Sequence, residues 1–180
     1  MIDYKNGIYA VDSDYVRPIL DAIHLIEDSG ELAIIDTAHN GAWPQVEAAL
    51  SKIGRKPEDV RWLILTHVHL DHAGGAGLFM SKLPNATLVV HERGARHMAD
   101  PSKLYAGVEV VYGKENAKRL YGDLLPIPEA RIQVGKHGDT LALGERTLEI
   151  LDTPGHARHH ISIVDHAAKG IFSGDTFGLS

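Results

Sequence analysis

The stretch Thr66-His67-Val68-His69-Leu70-Asp71-His72-Ala73-Gly74-Gly75 sets three imidazoles and one carboxylate within six positions, directly after the apolar run Trp62-Leu63-Ile64-Leu65. A short apolar run closed by a polar cluster reads as a buried strand ending in a loop. Residues two apart on an extended backbone point the same way, so His67 and His69 share a direction and Asp71 and His72 lie on the turn beyond. Neutral imidazole nitrogen and carboxylate oxygen suit a borderline divalent cation such as zinc, and a site that keeps one position open to water suits catalysis. Four donors this close exceed what one ion with an open position needs. Two adjacent ions sharing a hydroxide are therefore the sharper reading. A solvated histidine-rich loop, or imidazoles satisfied by backbone carbonyls, accounts for a lone histidine but poorly for this cluster.

Two further segments extend the pattern: Leu151-Asp152-Thr153-Pro154-Gly155-His156, and Phe172-Ser173-Gly174-Asp175-Thr176-Phe177. With His67-x-His69-x-Asp71-His72 and Gly74-Gly75, they resemble, in order, the metal-binding segments of the metallo-β-lactamase-fold hydrolases, of the glyoxalase II and lactonase-like branch. The resemblance implies an α/β fold, a four-layer αββα sandwich. It also implies His67, His69 and His156 on a first metal, and Asp71, His72 and a bridging Asp175 on a second. Asp36 resembles the family's strand-end aspartate beside the metal pocket, where it would orient a ligand histidine, with simple turn capping as the alternative. His160 matches a polar position behind the third ligand segment. Members of the family also contribute a histidine from beyond the bridging aspartate, whereas this chain ends at Ser180. The expectation is a domain incomplete at its C-terminus, with a weakened second metal.

The 180 residues fit one domain, 1–180, with enough chain to bury a core. Eighteen basic against 24 acidic residues, a net of −6 without a dense basic stripe, argue against a nucleic-acid surface and for a small-molecule substrate. Cysteine is absent, so any metal must be held by His, Asp and Glu. No apolar run approaches the roughly twenty residues that span a bilayer, and Met1-Ile2-Asp3-Tyr4 does not open a secretory leader. A cytoplasmic protein with no membrane partner is the default expectation. Homo-oligomerisation is left open.

Along the chain, Gly7–Val11, Ile19–Ile26 and Leu32–Ile35 read as antiparallel strands, the last two joined through Glu27-Asp28-Ser29-Gly30. Val46, Ala49, Leu50 and Ile53 recur at helical spacing, with Pro44 suited to a first turn and Gly54 to a stop. Ala76 to Lys82 reads as the next helix, ended by Pro84-Asn85, and Thr87–Val90 as a strand. Punctuation by Pro101, Gly107, Gly113, Gly122, Pro126 and Pro128 marks about 94–130 as an irregular insertion over the pocket, with Tyr105, Tyr112 and Tyr121 as wall or packing residues. The remainder reads as a meander: 131–134, 140–143, 147–151, 161–164 and 171–172. His24 reads as an ordinary sheet residue.

The chemistry implied is hydrolysis of a small ester, thioester, lactone or amide by metal-bound hydroxide, with Asp71 orienting the hydroxide or receiving its proton. Two divalent ions are the cofactors expected, zinc by preference, with iron or manganese also suited to such donors. An iron-dependent oxidoreductase of the same fold, persulfide dioxygenase-like, is the alternative; a diiron, flavin-linked enzyme is disfavoured by His69, which such proteins replace with glutamate. A non-catalytic metal-binding fragment is the third reading. Substrate and pathway are not written in these motifs.

Overall fold

In the computed structural model, which describes residues 1–177, the apolar runs become the strands of two sheets. The larger sheet takes its seven strands in chain order: β1 (Ile2–Lys5), β2 (Ile8–Asp12), β3 (Ala22–Asp28), β4 (Glu31–Ile35), β5 (Val60–Ile64), β6 (Thr87–His91) and β7 (Ile132–Gly135). The first four are antiparallel. Ser29 and Gly30, both at positive φ, close the two-residue hairpin between β3 and β4. From β4 to β7 the pairing is parallel. Parallel neighbours need crossovers: helix α1 (Trp43–Lys52) lies between β4 and β5, and α2 (Leu70–Ala73) and α3 (Ala76–Lys82) between β5 and β6. The smaller sheet is antiparallel, in the order β11 (Gly170–Phe172), β10 (Ile161–Asp165), β9 (Arg146–Asp152), β8 (Thr140–Leu143).

Strand periodicity sorts the core into two halves. Leu32, Ile34, Leu63, Leu88 and Val90 face the helices, packing with Val46, Leu50, Phe79 and Met80. Their neighbours Ala33, Ile35, Ile64 and Val89 face the smaller sheet and meet Leu141, Leu143, Leu148, Ile150, Ile161 and Ile163. Strands buried on both faces carry unbroken apolar runs, which is why Leu32–Ile35 and Leu63–Leu65 do not alternate. The layers are thus helices, large sheet, small sheet, the expected sandwich as far as its third layer. The outer face of the small sheet exposes Thr140, Ala142 and Thr147.

Three local expectations are corrected. The chain opens with β1, although Ile2–Lys5 is exposed throughout and carries little apolar signal. The strand expected from Ile19 begins at Ala22, because Asp14, Val16 and Ile19 all adopt positive φ and keep 13–21 as a loop. The segment 94–130 is largely regular: α4 (Glu92–Ala99), α5 (Ser102–Tyr112) and α6 (Lys114–Tyr121) fill most of it. Pro101, Gly113 and Gly122 fall between helices or at their ends, where their missing donor or positive φ does no harm. Among the described residues no helix is long and apolar enough to cross a membrane.

Candidate metal centre

Beyond β5 the chain runs through Leu65–His69 as a loop that bends at Thr66 and at His69, and His69 lies at the N-terminus of α2 with φ −66° and ψ 147°. The rings of His67 and His69 consequently meet, centroids 4.7 Å apart, as expected from their spacing. On α2, His72 turns back beneath them, its ring 4.3 Å from that of His67. The smaller sheet supplies the other side. His156 follows β9, and Asp175 lies on a one-turn 3-10 helix, Gly174–Phe177, after β11.

Two groups of donor atoms converge, each within 4.8 Å: His67, His69 and His156, and His67, His72 and Asp175. Asp175 spans them. Its Oδ1 is 3.2 Å from His72 Nε2 and its Oδ2 is 3.3 Å from His156 Nε2. His156 Nε2 also faces His69 Nδ1 at 2.9 Å. Asp71, half-buried on α2, belongs to neither group.

The surrounding residues fix these rings. Asp36 is buried at the end of β4, with backbone φ +59°. Its Oδ1 accepts from Thr66 N at 2.8 Å, and its Oδ2 accepts from Thr66 Oγ1 at 2.7 Å and faces His72 Nδ1 at 2.9 Å. The left-handed turns at Asp36 and Ala38 let Thr37 donate twice to the His72 carbonyl, at 2.8 Å from its N–H and 3.0 Å from its hydroxyl. Gly74 and Gly75 serve that same loop rather than the ion site: a Cβ on Gly75 would lie 2.9 Å from His39 O and 3.0 Å from Thr37 O. His160, fully buried, accepts through Nε2 from the Asp175 N–H at 3.1 Å, while Nδ1 meets Thr153 Oγ1 at 2.9 Å. It thus holds the backbone of the carboxylate that joins both groups. Gly174, at φ +47°, is part of this clamp, since a Cβ there would come within 2.6 Å of His160 Nε2 and 2.7 Å of Thr66 Oγ1.

Electrostatics separate the rings. Burial, reinforced by the neighbouring imidazoles of His72 and His69, pushes His67 down to about 2. For His72 burial acts downward too, but Asp36 and Asp175 outweigh it and hold the ring at about 11. The hydrogen bond from His72 in turn keeps Asp175 well below the usual carboxylate range. Burial also lowers His69 and His160. Thr66, which ties Asp36 to His67 Nδ1 (3.1 Å from its Oγ1), was not singled out in the sequence. His159, a weaker candidate in the sequence as the neighbour of His160, accepts through Nδ1 from Val68 N at 3.3 Å, and burial and His69 push it down to about 4. Asp21 lines a cavity of about 490 Å³ together with His24, Asp36, His72 and Asp175, and burial raises it to about 7. His39 instead reaches Ser13 O, 3.2 Å from its Nε2.

The donor set fits a metal. His67 Nδ1 is taken by Thr66, and its Nε2 is buried without any partner. A buried polar atom left unmatched costs about 1–3 kcal/mol. Here that atom points into a cluster of imidazole nitrogens and one carboxylate, the donors that borderline cations prefer.

An α/β sandwich carrying His and Asp donors at the sheet ends has the donor chemistry of a metal-binding domain. The chain belongs to the metallo-beta-lactamase superfamily, whose family profile matches residues 22–179. It is 28% identical over 120 residues to an N-acyl homoserine lactonase of a Bacillus species, covering 67% of this chain and 38% of that one. To a hydroxyacylglutathione hydrolase of Stenotrophomonas maltophilia (strain R551-3) it is 30% identical over 152 residues, covering 84% and 44%. An archaeal superfamily protein from Sulfolobus tokodaii superposes with a TM-score of 0.75 at 22% identity, covering 94% of this chain and 63% of that one, a likeness of fold. The chain thus spans less than half the length of these two curated relatives.

Proposed function

We propose that this chain carries the metal centre of a hydrolase that cleaves a small ester, thioester, lactone or amide. The observation that carries the reading is the buried, unpartnered Nε2 of His67 facing His69, His156, His72 and Asp175. A divalent ion held there supplies a Lewis acid and lowers the pKa of a bound water toward neutrality. His67, His69 and His156 would hold one ion; His72 and Asp175 would hold the second, with Asp71 brought in from α2.

The two donor groups share a single nitrogen, because His67 has only Nε2 free. The reading is therefore of unequal sites, the three-histidine site tight and the other weaker. The chain's own groups divide the remaining work: Asp36 keeps His72 oriented, His160 keeps Asp175 in place, and Asp71, half-buried on α2, can receive a proton from an attacking water. The names of the lactonase and hydroxyacylglutathione hydrolase relatives support ester and thioester chemistry as the first to screen.

The test is metal analysis of the dialysed chain by inductively coupled plasma mass spectrometry, with turnover of phenyl acetate and a thioester. Zinc bound, lost in His67→Ala and reduced in Asp175→Ala, with turnover that follows the metal, is the expected result. Unchanged stoichiometry in both variants would sink the ligand assignment, and one equivalent of iron would move the chain to oxygen chemistry.

A further inference from the structure

The loop that carries His67 and His69 is held at three points. Val68, the residue between them, is buried, and a Cβ on Gly94 would come within 2.8 Å of its Cγ1, so α4 lies directly against its side chain. Two residues earlier, the Thr66 carbonyl accepts from the Ile161 N–H at 2.8 Å, which ties the loop to the start of β10. The third point is a side chain: the Val68 N–H donates to His159 Nδ1 at 3.3 Å. A buried amide needs such a partner, because folding has taken it away from water.

His159 stands on the same loop as His156, three residues further on. Two backbone bonds close that loop: Thr153 N–H to His160 O at 3.1 Å, and His160 N–H to Ala157 O at 3.3 Å. The His159 ring lies nearly parallel to that of His67, at 14° with centroids 6.2 Å apart, and meets the His69 ring edge-on at 5.5 Å. Yet it belongs to neither group of converging donors. Because its Nδ1 accepts from an amide, the ring carries its proton on Nε2. An ion held by three imidazoles needs each donor nitrogen at about 2.0–2.1 Å. The backbone around Val68 sets how far apart two of those nitrogens stand.

We propose that His159 is a positioning residue for the three-histidine site: through the Val68 N–H it fixes the spacing of His67 and His69 opposite His156. This assignment rests on the metal reading above. One short loop then does two things for the same ion, supplying His156 as a donor and setting the separation of the other two. The two ions are supported by different devices. Asp36 acts on the side chain of His72, whereas His159 acts on the backbone between His67 and His69.

The test compares the zinc affinities of the chain and three variants by competition with a chromogenic chelator. His159→Ala should weaken the three-histidine ion about tenfold, the lower end of what loss of a ligand's outer partner costs, and leave the ion at His72 and Asp175 within about twofold. His159→Asn, whose Oδ1 replaces Nδ1 as acceptor, should stay within about threefold of the parent. His159→Phe, which keeps a ring but has no acceptor, should behave like His159→Ala. Cobalt loading gives a second readout, since its visible absorption reports ligand geometry: the bands should shift in the Ala and Phe variants and hold in Asn. An unchanged three-histidine affinity in a folded His159→Ala, equal weakening of both ions, or a His159→Phe that matches the parent would each overturn the assignment. NMR of the zinc-free chain reads the contact without any metal. The Val68 N–H should exchange at least about tenfold more slowly in the parent than in His159→Ala, and His159 should be protonated on Nε2 alone. A proton on Nδ1 in the parent overturns the proposal even if no variant folds. A chain that binds no zinc, yet protects Val68 in the parent and not in His159→Ala, sinks the metal reading and leaves the hold of His159 on the loop intact.

Discussion

Asp36 takes three hydrogen bonds on one buried carboxylate while its backbone sits at φ +59°, a conformation that costs a residue other than glycine of order 1 kcal/mol or more. An asparagine there would keep an acceptor for Thr66 N but present an amide donor to Thr66 Oγ1 and His72 Nδ1. Asp36→Asn should therefore weaken the ion held by His72 and Asp175 by about 10–100-fold, as loss of a ligand's outer partner does elsewhere. The three-histidine ion should be nearly untouched. Competition with a chromogenic zinc chelator reads the two affinities; equal weakening of both, or of neither, would overturn the arrangement. Residues of this kind were only partly legible. Asp36 announced itself by closing an apolar strand, and His160 by its distance from His156. Thr66 did not, and His159 did so only as the neighbour of His160, because a hydroxyl or an imidazole declares its partner only once two distant loops have been brought face to face.

At the level of elements, apolar runs bounded by glycine, proline or acidic pairs were readable as strands, and α1 and α3 fell where periodicity set them. Helices α4 to α6 were obscured because their prolines and glycines suggested breaks throughout, whereas Pro101, Gly113 and Gly122 fall at the helix ends and, of the residues read as breaks, only Gly107 lies inside a helix, in α5. The exposed β1 was invisible for the opposite reason: it owes its existence to pairing with β2, not to burial. Another interaction written far apart in the chain is the link between the sheets made by Arg146. Its Nη1 is 2.7 Å from the fully buried Asp165, its Nε is 3.2 Å from Asp28, and its Nη2 donates to Asn6 O. Arg146→Met should cost about 3 kcal/mol in urea denaturation, since it strands a buried carboxylate. Adding Asp165→Asn should recover part of that loss. A single variant as stable as the parent would show that Asp165 is satisfied by the N–H groups of Ala167 and Ala168 alone.

Across the whole molecule, the donor groups come from both sheets: His67, His69 and His72 follow the large one, His156 and Asp175 the small one. A bound ion then acts as a staple between layers. Zinc at about a thousand times its dissociation constant should stabilise the fold by about 4 kcal/mol, and EDTA should remove that gain. The rise in thermal midpoint should vanish in His156→Ala; a rise that persists would place the ion elsewhere. The layered architecture was the most legible level, because three motifs in order carry it, while the hydroxyl contact of Tyr15 with the distant Tyr121 was least so. The strand order of the large sheet has its own corollary. Every strand from β1 to β7 pairs with the one made just before it, so that sheet can assemble by successive addition as the chain leaves the ribosome. The three imidazoles after β5 are then exposed, side by side, through the synthesis of β6 to β11, until Asp175 arrives to close the cage. A metal site built from these groups is complete only once β11 has been made, so its loading would be a late event of biosynthesis.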